Sequence, residues 1–343
     1  AGYQTGLAGK WHLGCSRVAD LPHHRGFDSA YGHLTGNIDY FTHMRDGGLD
    51  WQRNGRSVRE KGYSTDLIGE ETVRFIRRRD RAKPFFFYTA FNAPHTPLQA
   101  PEEYIARYAS IADKNRRVYA AMVEAMDSAI GRILKTLDDE GIANDTIVLF
   151  FSDNGGAPGV GGRNGALRGS KGNTWEGGLR VPAVLRWPGK SPAGAVSRQM
   201  VTVMDVFPTL ASAAGVKPRN QRPFDGADVW KLIAGGTAQP REDQFFAVEG
   251  GGGIWLAAFH REWKLVRQIA RKGEPSNHLF RIEQDPEEKN DLAAAHPAVV
   301  KDLAARLERW QQLHPPGGVR NPPSNDPPAG WKAPAQWAEA AKP

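Results

Sequence analysis

The sequence predicts an α/β protein with a sheet of mainly parallel strands and helices on both faces, followed by a smaller antiparallel piece. Three observations carry this. Between residue 1 and about 240, short apolar runs alternate with helical patterns, the order that βαβ units require. Two of those runs, PFFFYTAF (84–91) and TIVLFFSD (146–153), are nearly continuous in β-branched and aromatic residues, as expected of strands buried on both faces. From about 241 the texture changes to the strand-like pieces DQFFAVEG, IWLAAFHR, WKLVRQ and HLFRIE, separated by glycine-rich or charged turns.

Taken in order, AGYQTGLAGKWHLG (1–14) reads as the end of one element running into a strand. STDLIGEETVRFIRRR (64–79) is a short amphipathic helix. In NRRVYAAMVEAMDSAIGRILKTLDDEG (115–141), Val118, Met122, Ala125, Met126, Ala129, Ile133 and Leu137 recur at spacings of three and four and Gly141 closes the run, which predicts a crossover helix. MDVFPTLASAAG (204–215) is a further helix ending in glycine, and one more is expected near 297–313. The expected domains are 1–240, an α/β catalytic domain; 241–314, an α+β subdomain; and 315–343, an extended tail too rich in proline, glycine and asparagine for a core, wrapping the domain through Trp331 and Trp337.

At 343 residues, 40% hydrophobic and 24% charged, the chain lies in the ordinary globular range. No run approaches the roughly 20 apolar residues of a membrane helix, and the first residues lack the layout of a signal peptide. The single cysteine excludes an internal disulfide framework and a cysteine-based zinc site. The net charge of +7 favours polyanionic partners, but RRRDR (77–81) and RQIARK (267–272) show no aromatic interleaving of the kind a nucleic-acid platform uses.

In open α/β sheets ligands gather beyond the carboxyl ends of the strands. The first buried run ends in NAPHTP, which presents His95 between two prolines; the second ends in SDNGG, which presents Asp153 and Asn154. Adjacent Asp and Asn oxygens suit a hard cation such as calcium or magnesium, although DNGG alone is also what a plain turn looks like. GKWHLG (9–14) and the glycine-rich GSKGNTWEGGLRVP (169–182) add Lys10, His12 and Lys171. Singly, these are ordinary surface lysines or structural histidines. Together, near strand ends and beside a hard-cation site, they form a pocket for a tetrahedral oxyanion.

GYQTGLAGKWHLG, NAPHTP, FSDNGG and GSKGNTWEGGLRVP stand in the order and spacing of the sulfatase family, which the chain resembles over nearly its whole length apart from the tail. HRGFDSAYGHLTGNIDYFTH (24–43), TVMDVFPTLASAAG (202–215) and LFRIEQDPEEKNDLA (279–293) extend the similarity. The resemblance implies an alkaline-phosphatase-like sheet and hydrolysis of sulfate esters by a calcium-assisted formylglycine mechanism. It implies that Asp153 and Asn154 bind Ca2+ and that Lys10 and Lys171 neutralise the sulfate oxygens. His12 would assist turnover of the covalent sulfate intermediate, and His95, with Lys171, would protonate the leaving-group oxygen. Expected substrates are a sulfated polysaccharide or a small aryl sulfate, with His43 and Trp255 as contacts, though the neighbouring Tyr40 and Phe41 also read as ordinary core. By the same analogy the compartment is the periplasm or the exterior.

The sequence departs from the family in lacking a Cys-x-Pro-Ser-Arg motif and a first-strand aspartate pair, both upstream of GKWHLG in relatives. No nucleophile is therefore expected in this chain. Cys15, in CSR, lacks the proline and reads as a small loop residue. A truncated chain with an open sheet edge is expected to be marginally stable and inactive by itself. Two other readings stand beside this one. One is a phosphatase, phosphonate hydrolase or phosphomutase of the same superfamily: a two-metal phosphoryl enzyme would favour an imidazole where Asn154 stands, whereas a single-metal phosphonate hydrolase shares the pattern. The other is a non-catalytic binder of sulfated glycans, which would use the same lysines without chemistry.

Overall fold

The computed structural model describes residues 1–15, 17–218, 223–237, 242–250 and 253–313; the expected tail, with Trp331 and Trp337, lies outside them. The described residues fall into two compact units that divide after Ala143, with Gly159–Gly162 belonging to the first. Among the described residues no helix is long and apolar enough to cross a membrane.

The first unit is built on a five-stranded sheet. Strand β1 (Gln4–Lys10) lies between β2 (Ser29–His33) and, after α1 (Ser64–Arg78), β7 (Phe85–Ala90), and pairs with both in parallel. Between β2 and α1 run four two-residue strands, β3 (Met44–Arg45), β4 (Gly48–Leu49), β5 (Gln52–Arg53) and β6 (Arg56–Ser57); β3 and β4 form a separate hairpin, and β5 and β6 add antiparallel to β2, giving the order β6-β5-β2-β1-β7. Gly9 is needed at the β1–β7 contact: its φ is +115° and a Cβ there would lie 1.9 Å from the Ala90 carbonyl oxygen. Helices α2 (Glu102–Arg107) and α3 (Lys114–Asp139) follow. Asp113 caps α3 by accepting from the Arg116 amide at 2.6 Å. Val118, Met122, Ala125, Ala129 and Leu137 are buried, as their spacing predicts, and Gly141 follows with φ +70°.

The expectation that the first buried run is covered on both faces is corrected. Burial alternates along β7: Phe85 and Phe87 turn toward Phe75 of α1, whereas Phe86 and Tyr88 are 43% and 47% exposed. Alternation is what a pleated strand covered by a helix layer on one face produces. The second run is corrected in the same way. Strand β8 (Val148–Phe151) pairs antiparallel with β9 (Ala183–Arg186), and the cross-strand partners Phe150 and Val184 are both exposed.

In the second unit β8 leads through a long loop into the short helix α4 (Glu176–Leu179) and β9, then α5 (Val203–Ala213) and α6 (Trp230–Ile233). Thr202 and Asp205 close a capping box on α5. The C-terminal part is as expected: β10 (Asp243–Gly250), β11 (Gly253–His260), β12 (Trp263–Ala270) and β13 (Ser276–Arg281) form an antiparallel meander, against which α7 (Pro297–Gln311) packs Leu303 and Leu307 onto Leu256, Ala258, Leu265 and Leu279. Lys264 of β12 is fully buried, 2.8 Å from carboxylate oxygens of both Glu176 and Glu288.

Candidate active site

In the first unit Lys10 is the last residue of β1, and His12 and His95 follow the carboxyl ends of the adjacent strands β1 and β7. Lys10 is in register with His33 of β2, and the pairing runs on past the strand through the Trp11 amide to the His33 carbonyl (2.9 Å) and the His12 amide to the Leu34 carbonyl (3.0 Å). His12 takes φ +52° and its ring lies against Gly36; a Cβ at Gly36 would lie 2.9 Å from His12 Cε1, so a larger residue there would push the ring aside. His95 is seated by the Tyr40 hydroxyl, which donates to the carbonyls of Asn92 and His95 at 2.9 and 2.8 Å. Its own Nδ1 lies 2.9 Å from the Thr96 carbonyl and its amide donates to the Asn92 carbonyl.

Two buried residues behind Lys10 were not singled out in the sequence. His33 donates from Nδ1 to the Thr35 carbonyl (3.0 Å), which leaves Nε2 as a bare acceptor without a partner among the described residues. Burial first, then the Lys10 ammonium and more weakly His12 and His43, push its pKa down to about 3 against that hydrogen bond. Asp50, also buried, accepts from the amides of Leu34 and Thr35 at 2.9 Å and from the Thr35 hydroxyl; burial raises its pKa against these bonds. His43 is only 1% exposed and stacks on Trp51 at 4.4 Å, with His33 6.4 Å away on the same indole. Burial lowers its pKa, and its Nε2 lies 3.2 Å from the Gly62 carbonyl.

The second unit brings Asp153, Asn154 and Lys171 onto one laced pair of loops. The Asn154 side chain donates from Nδ2 to Asp153 Oδ2 at 2.7 Å, the Gly155 backbone amide to the Gly178 carbonyl at 3.0 Å, and the Lys171 backbone amide to the Gly156 carbonyl at 3.3 Å. Asn164, which sequence reasoning missed, ties the two loops together: its Oδ1 accepts from the Gly156 amide (2.7 Å), and its Nδ2 donates to the carbonyls of Gly156 (3.0 Å) and Gly169 (3.1 Å). A lone asparagine among glycines carries no periodic signal, so only the fold reveals it. Lys171 is exposed at the loop's tip, and Trp255 is half-buried with its ring 5.9 Å from Trp175.

Asp153 and Asn154 offer only oxygen donors, which fits a hard cation, but such an ion takes six to eight. Among the described residues no group of three or more His, Cys, Asp or Glu side chains is arranged to hold a metal, so the pair fits as part of a coordination set.

The family model described as sulfatase matches residues 1–216. The chain belongs to the sulfatase family. A second profile, N-sulphoglucosamine sulphohydrolase C-terminal, matches residues 170–313, and the sulfatase family is generally metal-dependent. Arylsulfatase J of Mus musculus is 34% identical over 374 residues, covering 94% of this chain and 62% of the relative. N-acetylgalactosamine-6-sulfatase of Canis lupus familiaris is 35% identical over 258 residues, 70% of this chain and 48% of the relative. The chain thus spans from about half to 62% of the length of these relatives. Among solved structures, Ps i-CgsB in complex with k-i-k-neocarrahexaose is 31% identical and matches with a TM-score of 0.83 over 98% of this chain and 74% of that one.

Proposed function

We propose that this chain serves the hydrolysis of sulfate esters on a carbohydrate, with Lys10, His12, His95 and Lys171 as the acting side chains. The observation that carries this reading is the lacing of the Asp153–Asn154 turn to the Lys171 loop through Asn164, because it presents a cation and two hard oxygen donors from one scaffold. In this reading the two lysines offset charge on the sulfate oxygens. His12 and His95 move protons, His95 with Lys171 at the leaving-group oxygen. Asp153 and Asn154 would hold calcium, which when bound polarises a sulfate oxygen. A carbohydrate is favoured over an aryl sulfate by two similar proteins, one named for a sulfated amino sugar and one solved with a neocarrahexaose. Because His43 is buried, direct contact with the sugar passes to Trp255. The 343 residues contain one cysteine, the buried Cys15, and no Cys-x-Pro-Ser-Arg, so this chain by itself is expected to be inactive. The compartment proposed for the enzyme is the periplasm or the exterior.

The test is sulfate release by the complete protein from sulfated oligosaccharides and 4-nitrophenyl sulfate, beside a phosphonate monoester, before and after chelation and calcium addition. Sulfate release that calcium restores is expected. Turnover of the phosphonate alone, or binding of the oligosaccharide without turnover, would replace this reading with a phosphonate hydrolase or a glycan binder.

A further inference from the structure

We propose that Glu288, backed by the buried Lys264, is a positioning residue for Lys171, fastening both ends of the loop that carries it. This rests on the reading of Lys171 as a sulfate-binding residue. The loop leaves at Arg168 and returns at Glu176, and the two ends are closed on each other by the Gly177 amide, which donates to the Arg168 carbonyl at 2.7 Å. Glu288 holds each end separately. Its carbonyl accepts from Arg168 Nη1 at 3.3 Å, and its carboxylate accepts from the Glu176 amide at 2.7 Å. The Arg168 guanidinium also lies 3.8 Å over the ring of Trp175, which packs on Val266 and Phe280 of the meander.

What holds Glu288 in place is electrostatic. Lys264 lies 2.8 Å from oxygens of both Glu176 and Glu288, the three side chains being 0%, 7% and 0% exposed. The exposed Arg180 approaches the other Glu176 oxygen at 3.7 Å, so one buried lysine faces two buried carboxylates and the second cation reaches them from the solvent side. Burial raises the Glu288 pKa, and Lys264 with the Glu176 amide opposes that rise. Glu288 also keeps φ +55°, a left-handed conformation that a non-glycine residue holds only where its surroundings fix it. Removing one member of such a buried set strands its partners' charge. The consequence reaches the loop, because the residue that balances Lys264 is also the one that ties Arg168 to Glu176.

The experiment digests the intact protein with trypsin under native conditions, times cleavage after Arg168 and Lys171 by mass spectrometry, and follows Tm, kcat and KM in parallel. Glu288→Ala should speed cleavage after Lys171 by about tenfold or more, the loss of a charge-assisted hydrogen bond, while cleavage after Arg132 and Lys135 in α3 is unchanged. Turnover of a sulfate ester should fall in the same variant. Glu288→Gln, which keeps an acceptor for the Glu176 amide, should recover part of both effects. Cleavage rising equally at every site would make Glu288 a global stability residue and overturn the proposal, as would unchanged cleavage after Lys171 in both variants. If Glu288→Ala does not fold, Glu288→Gln alone decides by the same site-by-site comparison. If Lys171→Ala leaves the turnover of the complete protein unchanged while the cleavage pattern holds, the positioning stands and the catalytic reading of Lys171 falls.

Discussion

Replacing Asn164 by alanine removes three hydrogen bonds at once, from the Gly156 amide and to the carbonyls of Gly156 and Gly169. Each is worth about 0.5–1.5 kcal/mol net, and because the side chain is half-buried, with water able to re-satisfy part of the exposed backbone, the sum should lie near the low end, about 1.5–3 kcal/mol. For a cooperative unit of this size that is a fall in Tm of about 3–12 °C. Differential scanning calorimetry measures the loss, and amide hydrogen exchange locates it, since Gly156 and Lys171 should lose protection together. Asn164→Asp keeps the acceptor for the Gly156 amide but sets a carboxylate against two carbonyl oxygens, so it should be no better than alanine. A Tm within about 1 °C of the parent, with exchange at Gly156 unaltered, would refute the argument that Asn164 joins the two loops.

Lys171→Ala in the complete enzyme should lower turnover about 10²–10³-fold, read as kcat on a sulfate ester; a change under about threefold would remove Lys171 from the mechanism. Gly36→Ala should displace the His12 ring, the movable partner in that 2.9 Å contact, and cut kcat about tenfold or more with little change in Tm, whereas unchanged kcat would show that the ring's position is immaterial. His33 gives a pH prediction. Its folded pKa of about 3 lies below the unfolded 6.5, so the unfolded chain takes up the extra proton. Stability is therefore fully present above the unfolded value and is lost as pH falls from 6.5 toward 3. Urea titrations across that range should show His33→Asn with a flatter acid slope, and an identical slope would mean that the ring is protonated in the fold.

The long helices and the C-terminal meander were legible because each rests on a repeating pattern, Val118 to Leu137 at helical spacing and the four short runs between turns after 241, whereas β2 to β6 carry no such pattern. Lys10, His95, Asp153 and Lys171 stand out as candidates because strand ends and glycine-rich loops announce where polar side chains gather. The cover of each sheet face was not. Apolar runs such as FFFYTA look the same whether one face or two is covered, so the exposure of Phe86 and Tyr88 had no signature. Asn164, Asp50 and Glu288 escaped for a different reason: each works by meeting backbone groups of another loop or strand, five to eight residues away for Asn164 and much farther for Glu288, and such pairings carry no period. Lys264 defeats pattern reading outright, since a lysine in an alternating strand reads as a solvent-facing position.

That enclosed amine also has a chemical use. An acylating or reductively methylating reagent reaches only amines that meet water, so Lys264 should stay unmodified while exposed lysines such as Lys171 and Lys289 react. Its first appearance in a labelling time course would then mark the opening of the C-terminal meander itself, giving an internal clock for the loss of that core that needs no probe attached in advance.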